Sequence, residues 1–134
     1  MKSLYTLIAL IGALFMVSNA SASPATDQLF ATYKSAGATS FDAERGSKNW
    51  TKEVKNKDGD MMSCTSCHGD DLTKEGKHHK TKKVIKPMAP SANAERLTDV
   101  KKIEKWFKRN CNDAWGRECT AQEKGDFLKF LSSK

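Results

Sequence analysis

The segment Cys64-Thr65-Ser66-Cys67-His68 combines two thiols and an imidazole at a short, fixed spacing. In a C-x-x-C-H sequence the two thiols can add to the two vinyl groups of a haem, and the histidine that follows can bind the iron. The sequence therefore predicts one covalent haem c, held through Cys64 and Cys67, with His68 as the proximal iron ligand.

Two other kinds of site also begin with C-x-x-C. A thioredoxin-like redox pair follows a hydrophobic strand in a βαβ unit, whereas the motif here is preceded by the polar run 55–60. A zinc ribbon needs a second C-x-x-C pair, which the sequence lacks. His78 and His79 are adjacent, which makes a Cys2His2 zinc site sterically unfavourable. The spacing thus favours haem over both alternatives.

The sixth position on the iron has two candidate ligands, Met88 and Asn110. Met88 lies between two prolines, and a thioether ligand is typical of an electron carrier because it stabilises Fe(II). Asn110 shares a helical face with large apolar residues, so burial of that face would turn its amide inward. The alternative interpretations are packing of Met88 against the porphyrin edge and capping of the last helical carbonyls by Asn110. The apolar residues on that face are Ile103, Trp106 and Phe107.

The other two cysteines are Cys111, which directly follows Asn110, and Cys119, eight residues further along the chain. In an oxidising compartment a disulfide is the default state of such a pair. It would restrain the backbone that carries Asn110, either as a staple between two helices or as a redox switch on the neighbouring ligand.

Helical periodicity covers the rest of the chain, and no alternating pattern predicts a strand of useful length. A short amphipathic helix is expected over 24–36, with Gly37 as its stop. The segment 41–50 places Gly46 and Trp50 on one face, where the missing side chain would let another helix approach. The sequence therefore predicts an all-α fold.

Two further helices have predicted caps. Thr98 is expected to cap a helix that runs through Asn110. Thr120 and Glu123 match a capping box before an apolar stripe in the terminal helix.

The first 22 residues are typical of a cleaved secretory signal peptide. Lys2 supplies the positive start, 4–17 is apolar, and cleavage is expected after Ala22, with Ala20 as the second choice. An uncleaved anchor is the alternative, although the apolar run is short for a membrane span. We expect one domain, the monohaem cytochrome c domain of residues 23–134, to lie outside the cytoplasm.

The composition narrows the class of protein further. The 134 residues carry a formal net charge of +7, with 38% hydrophobic and 29% charged residues. These values exclude a multi-span membrane protein and a wholly disordered chain. Lysines cluster over 74–86 and basic residues recur over 101–109. For an exported haem protein this charge favours acidic redox partners over nucleic acid, although it could also serve solubility alone.

Four segments together resemble the sphaeroides haem protein family. They are Cys64-Thr65-Ser66-Cys67-His68, Ile85-Lys86-Pro87-Met88-Ala89-Pro90-Ser91, Glu104-Lys105-Trp106-Phe107-Lys108-Arg109-Asn110-Cys111, and Gly116-Arg117-Glu118-Cys119-Thr120 with Glu123-Lys124. The resemblance extends over roughly residues 24 to 134. Met88 stands where leucine is common in the family.

The resemblance implies a class I cytochrome c-like fold, a location in the periplasm, and a high-spin haem with His68 as its proximal ligand. It also implies Asn110 as a displaceable sixth ligand, with Met88 as the alternative, and a Cys111–Cys119 disulfide. It implies diatomic gas ligands such as O2 and NO, and a dihaem cytochrome c and a membrane cytochrome b as electron donors.

Two functions are consistent with these features. The first is a haem protein that binds O2 or NO once Asn110 leaves the iron on reduction, with terminal oxidase or nitric oxide dioxygenase-like activity as possible extensions. The second is a simple electron carrier whose sixth ligand, Met88, stays bound.

Overall fold

A computed structural model describes residues 22–134, so the predicted signal peptide of residues 1–22 lies outside the described residues except for Ala22. Five helices and two pairs of short strands follow one another along this part of the chain. In order they are α1 Pro24–Ser35, α2 Ala43–Thr51, β1 Val54–Lys55, β2 Met61–Met62, α3 Thr65–His68, β3 Gly76–Lys77, β4 Val84–Ile85, α4 Val100–Trp115 and α5 Ala121–Leu131.

Helix α1 forms because its first and last turns are both capped. The Ser23 hydroxyl accepts from the Thr26 N–H, and Pro24 supplies a preset first helical residue. The helix ends one residue earlier than expected, at Ser35, and the chain turns away at Gly37 with a φ of +93°. Leu29 and Tyr33 are buried on its inner face, so the predicted amphipathic helix is confirmed.

Helices α2 and α5 cross at Gly46. A side chain at this position would overlap the backbone carbonyl of Asp126 and the Cβ of Phe130. Gly46 and Trp50 are both buried on the face of α2 that meets α5, as predicted. Asp126 is only 1% exposed and accepts hydrogen bonds from Arg45 and from the Asp42 N–H. These bonds stabilise the contact between α2 and α5.

The caps of the last two helices differ in how well they match the prediction. In α5 the Thr120 hydroxyl accepts from the Glu123 N–H at 3.2 Å, and the Glu123 carboxylate accepts from the Thr120 N–H at 2.8 Å, which confirms the capping box. The cap predicted for α4 is wrong: Asp99, not Thr98, accepts from the Lys102 N–H. Thr98 instead donates to the Glu95 carbonyl, because Asp99 is the residue that immediately precedes the first helical turn.

The four strands were not predicted. Each has two residues, and they pair as the antiparallel ladders β1–β2 and β3–β4. Strands this short carry no alternation that a sequence pattern could reveal. The two ladders close the loops 56–60 and 78–83, which lie on either side of α3 in the sequence. They therefore help to position the segments next to the haem-attachment motif.

Most of the buried apolar side chains of residues 22–134 form two clusters. The first cluster contains Trp50, Leu72, Phe127 and the two cysteines that follow Asn110. The second cluster contains Leu29, Tyr33, Ile103 and Leu128. Leu97 and Phe107 pack against both clusters and so connect them. Within residues 22–134, no helix is long and apolar enough to cross a membrane.

Candidate haem site

The haem-attachment motif forms the helical turn α3. The Cys64 carbonyl accepts from the Cys67 N–H at 3.3 Å and from the His68 N–H at 3.1 Å, so the two thiols and the imidazole lie within a single turn. The Cys64 N–H in turn donates to the Trp50 carbonyl at 3.2 Å, which ties the motif to the end of α2. The three predicted haem-binding residues are therefore held on one rigid element.

His68 lies in an apolar setting next to Trp50, whose ring centroid is 5.2 Å from the imidazole centroid. Burial, together with the smaller effect of the positive charge of Arg96, lowers the pKa of His68 to about 4. The side chain is consequently neutral at pH 7, which is the form that binds a metal ion. Its Nδ1 atom is buried and has no hydrogen-bond partner in residues 22–134.

The two thiols of the motif are free and half-buried. Burial raises the pKa of Cys64 to about 12, so this thiol is protonated at neutral pH. A thioredoxin-like nucleophile needs the opposite, a pKa lowered towards or below neutrality. The site thus differs from a thiol redox centre.

Together these groups fit a haem c. Two free thiols and a neutral, buried imidazole in one helical turn match the donor set of covalent haem attachment. The apolar cluster around Trp50 and Leu72, which also contacts Cys64, provides the low-polarity wall that such a group requires.

Met88 lies close in the fold to the residues that follow His68. The Met88 and Ala89 N–H groups both donate to the Leu72 carbonyl, at 3.0 and 2.9 Å. The Met88 side chain is partly buried against the first cluster, which also contacts Cys64. The backbone of Met88 is thus bonded to Leu72, which lies four residues beyond His68 in the sequence.

Asn110 lies in the second half of α4, and its side chain is exposed. Within the described chain no hydrogen bond holds its amide, in contrast to Asn112, which donates to the Lys108 carbonyl at 2.7 Å. The expected burial of this helix face by the protein is only partly found: Ile103 is buried, whereas Trp106 is 39% exposed. The guanidinium of Arg109 lies 5.6 Å from the Trp106 ring centroid.

Cys111 and Cys119 are joined by a disulfide with a Cα–Cα distance of 5.7 Å, and both are buried in the first cluster. The loop that they close turns at Gly116, where φ is +69°. The disulfide therefore fixes the end of α4 that carries Asn110.

Sequence reasoning missed two residues at this site, Trp50 as the neighbour of His68 and Arg96. Arg96 donates to the Pro87 carbonyl at 2.7 Å and to the Lys86 carbonyl at 2.6 Å. Burial lowers the pKa of its guanidinium. No local pattern marks Arg96, because its two carbonyl acceptors lie nine and ten residues away along the chain.

Comparison with known proteins shows the class to which these features belong. A family model described as a domain of unknown function (DUF1924) matches residues 36–131. Cytochrome c-type protein SHP of Cereibacter sphaeroides is 45% identical over 107 residues, which is 80% of this chain and 82% of that protein. Cytochrome c'' of Methylophilus methylotrophus is 37% identical over 82 residues, which is 61% of this chain and 57% of that protein.

Solved structures agree. The structure of oxidised SHP, described as an oxygen binding cytochrome c, matches with a TM-score of 0.74 and 43% identity, covering 81% of this chain and 96% of that one. Oxidised cytochrome c'' of Methylophilus methylotrophus matches with a TM-score of 0.68 and 30% identity, covering 80% and 92%.

The fold and the site thus define a small, mostly helical, class I-like monohaem cytochrome c. The chain belongs to the sphaeroides haem protein family, as its motifs predict. The predicted cofactor, one covalently bound haem c, is confirmed by this membership.

Proposed function

We propose that this cytochrome accepts an electron and then binds O2 or NO at the haem iron, after the Asn110 amide has left it. When bound through Cys64, Cys67 and His68, the haem supplies an iron that cycles between Fe(III) and Fe(II) and takes a diatomic gas in the reduced state. Similarity to SHP, an oxygen binding cytochrome c, supports this proposal.

The observation that carries the proposal is the free amide of Asn110 on α4. An amide oxygen is a hard donor that suits Fe(III) better than the softer Fe(II), so reduction weakens its bond. Since no hydrogen bond to the described residues holds the side chain in place, it can leave the iron without breaking a hydrogen bond to the protein.

The position of Met88 also favours Asn110 as the sixth ligand. The hydrogen bonds from Met88 and Ala89 to Leu72 tether this segment to the chain that follows His68. A sixth ligand would have to approach the iron from the side away from His68, and the tether holds Met88 beside the residues that follow His68. We therefore assign Met88 to packing beside the proximal ligand.

We further propose that the chain acts in the periplasm after removal of residues 1–22. An oxidising compartment preserves the Cys111–Cys119 disulfide. A dihaem cytochrome c and a membrane cytochrome b are the proposed electron donors.

Absorption spectra of the holoprotein test the proposal. They are recorded oxidised and dithionite-reduced, before and after carbon monoxide, for the wild type and for Met88→Leu. We expect a high-spin reduced spectrum that shifts with carbon monoxide in both proteins. The opposite outcome is a low-spin reduced spectrum of the wild type that does not shift with carbon monoxide, together with a high-spin reduced spectrum of Met88→Leu. That outcome would instead establish an electron carrier with Met88 as its sixth ligand.

A further inference from the structure

The hairpin formed by residues 74–86, called the lysine hairpin below, packs directly on the haem-attachment turn. A side chain at Gly76 would overlap the Cys67 carbonyl oxygen and crowd the Cα of His68. Lys77, Val84 and Cys67 line the same groove between the hairpin and α3. The hairpin is therefore a rim of the haem site and not a distant loop.

The lysine hairpin concentrates the positive charge of the molecule. It contains six lysines and one glutamate, a formal net charge of +5, in a chain whose total is +7. Lys74 pairs with Asp71 and Lys80 with Asp58. The other four have no carboxylate partner in the described part of the chain. They are Lys77, Lys82, Lys83 and Lys86, and all four are exposed.

An apolar side chain lies among these cations. Val84 is 61% exposed, in β4 directly beside Lys83 and across the ladder from Lys77. A small apolar centre with a charged rim is the usual composition of a protein interface, in which the rim steers the encounter and the centre is desolvated. The second basic segment, 101–109, lies along α4, whereas the lysine hairpin contacts the haem-attachment turn itself through β3.

We propose that the lysine hairpin docks an acidic one-electron donor protein beside Cys67. This inference rests on the proposed function, since it names where the electron enters. The donor's redox centre loses one electron and the haem iron gains it, passing from Fe(III) to Fe(II), and no covalent bond is made or broken. Unpaired cations at the rim attract the negative partner and orient it towards the cofactor edge.

Binding to an acidic probe tests the proposal without any gas ligand. The oxidised holoprotein is titrated by calorimetry with an oxidised plant-type [2Fe–2S] ferredoxin, a strongly acidic protein, at low ionic strength. The test variant is Lys77→Gln/Lys83→Gln/Lys86→Gln. The control, Lys101→Gln/Lys102→Gln/Lys129→Gln, removes the same charge from exposed positions on α4 and α5. We expect Kd to rise on the order of tenfold in the test variant and less than about threefold in the control.

Amide chemical shifts of the labelled holoprotein locate the contact. Perturbations confined to 74–86 and 65–69 support the proposal. Equal weakening by both variants, or perturbations centred on α4, would overturn it. Tighter binding to phosphatidylglycerol vesicles than to ferredoxin, lost in the same variant, would also overturn it, because the hairpin would then be a lipid-binding surface. The haem stays oxidised throughout, so a failure here is separate from a failure of gas binding.

Discussion

Asn110 and Asn112 lie two residues apart on α4 and have opposite environments. The Asn112 amide is committed to the Lys108 carbonyl, whereas the Asn110 amide has no such bond among residues 22–134. An amide that is already hydrogen-bonded to its own helix is a poor iron ligand, because that hydrogen bond must first be broken. The difference makes the two asparagines a matched pair for experiment.

Replacing Asn110 by valine should raise the reduction potential of the haem. The amide oxygen stabilises Fe(III) over Fe(II), so its loss favours reduction. A tenfold difference in affinity between the two iron states corresponds to about 59 mV for one electron, and we expect a shift of at least this size. Spectroelectrochemical titration measures it. Asn112→Val should move the potential far less, and an equal shift in both variants would remove Asn110 from the iron.

The residues at the site divide into those that a sequence pattern reveals and those that it does not. Cys64, Cys67 and His68 are readable because covalent attachment fixes their spacing within one turn. Trp50 and Arg96 are not, because each reaches His68 from a segment that only the tertiary fold brings close. Local chemistry leaves a local pattern, and contacts between distant segments do not.

At the scale of the elements, the crossing of α2 and α5 depends on one missing side chain. Alanine at Gly46 would gain about 1 kcal/mol of helix propensity. It would also overlap the Asp126 backbone, and overpacking of this kind costs about 1–3 kcal/mol, or more where backbone must move. We expect Gly46→Ala to lower the free energy of unfolding by up to about 2 kcal/mol, the overlap cost less the gain in helix propensity.

Denaturant unfolding of the holoprotein measures this loss. Ser47→Ala, one residue further along the same helix, is the control, since the Ser47 side chain makes no hydrogen bond in the described structure. If Gly46→Ala were more stable than the wild type, α2 and α5 could move apart to accommodate the methyl group without a loss of stability. The prediction would then be wrong.

The start of α5 should make stability depend on pH. The Arg117 guanidinium, by hydrogen bonding to the Glu123 carboxylate, lowers the pKa of Glu123 below its ordinary value. A carboxylate whose pKa is lower in the folded state stabilises the fold above its ordinary pKa of about 4.3, and that contribution is lost as the pH falls through the folded value.

Thermal unfolding of the wild type and of Glu123→Gln checks this direction. We expect the wild type to have the higher Tm at pH 7, and the difference to close as the pH falls below about 4. Glutamine can still accept the capping-box hydrogen bond from the Thr120 N–H, so the comparison isolates the effect of the negative charge. A Tm difference that is constant between pH 7 and pH 3 would contradict the assignment.

The elements themselves were predicted to different degrees. The helices were readable because their periodicity and caps are local, as Thr120 and Glu123 show, and the error of one residue at Thr98 arose because two good capping residues are adjacent. The two-residue strands were not readable. They exist because Gly76 fits against Cys67 and because β1 and β2 close a turn at Gly59.

At the scale of the whole molecule, the two buried clusters differ in their position relative to the haem-attachment turn. The first surrounds the haem-attachment turn and includes Cys64 at its edge, whereas the second is built from α1, α4 and α5. Among the partly buried apolar residues of the described chain, Leu97 and Phe107 are the two that pack against both clusters. This division predicts that damage to the second cluster reduces stability without changing the haem.

Two leucine-to-alanine substitutions test the division, because Leu29 and Leu72 are both buried, at 2% and 5% exposed, one in each cluster. Each should cost about 2–5 kcal/mol of unfolding free energy through lost burial and a residual cavity. Leu29→Ala should leave the reduced spectrum and the reduction potential unchanged. Leu72→Ala should alter both, because Leu72 lies four residues after His68 and its carbonyl tethers the Met88 segment. If Leu29→Ala shifted the reduction potential as far as Leu72→Ala does, the two clusters would be coupled. The N-terminal helix α1 would then be one of the elements that set the reduction potential of the haem.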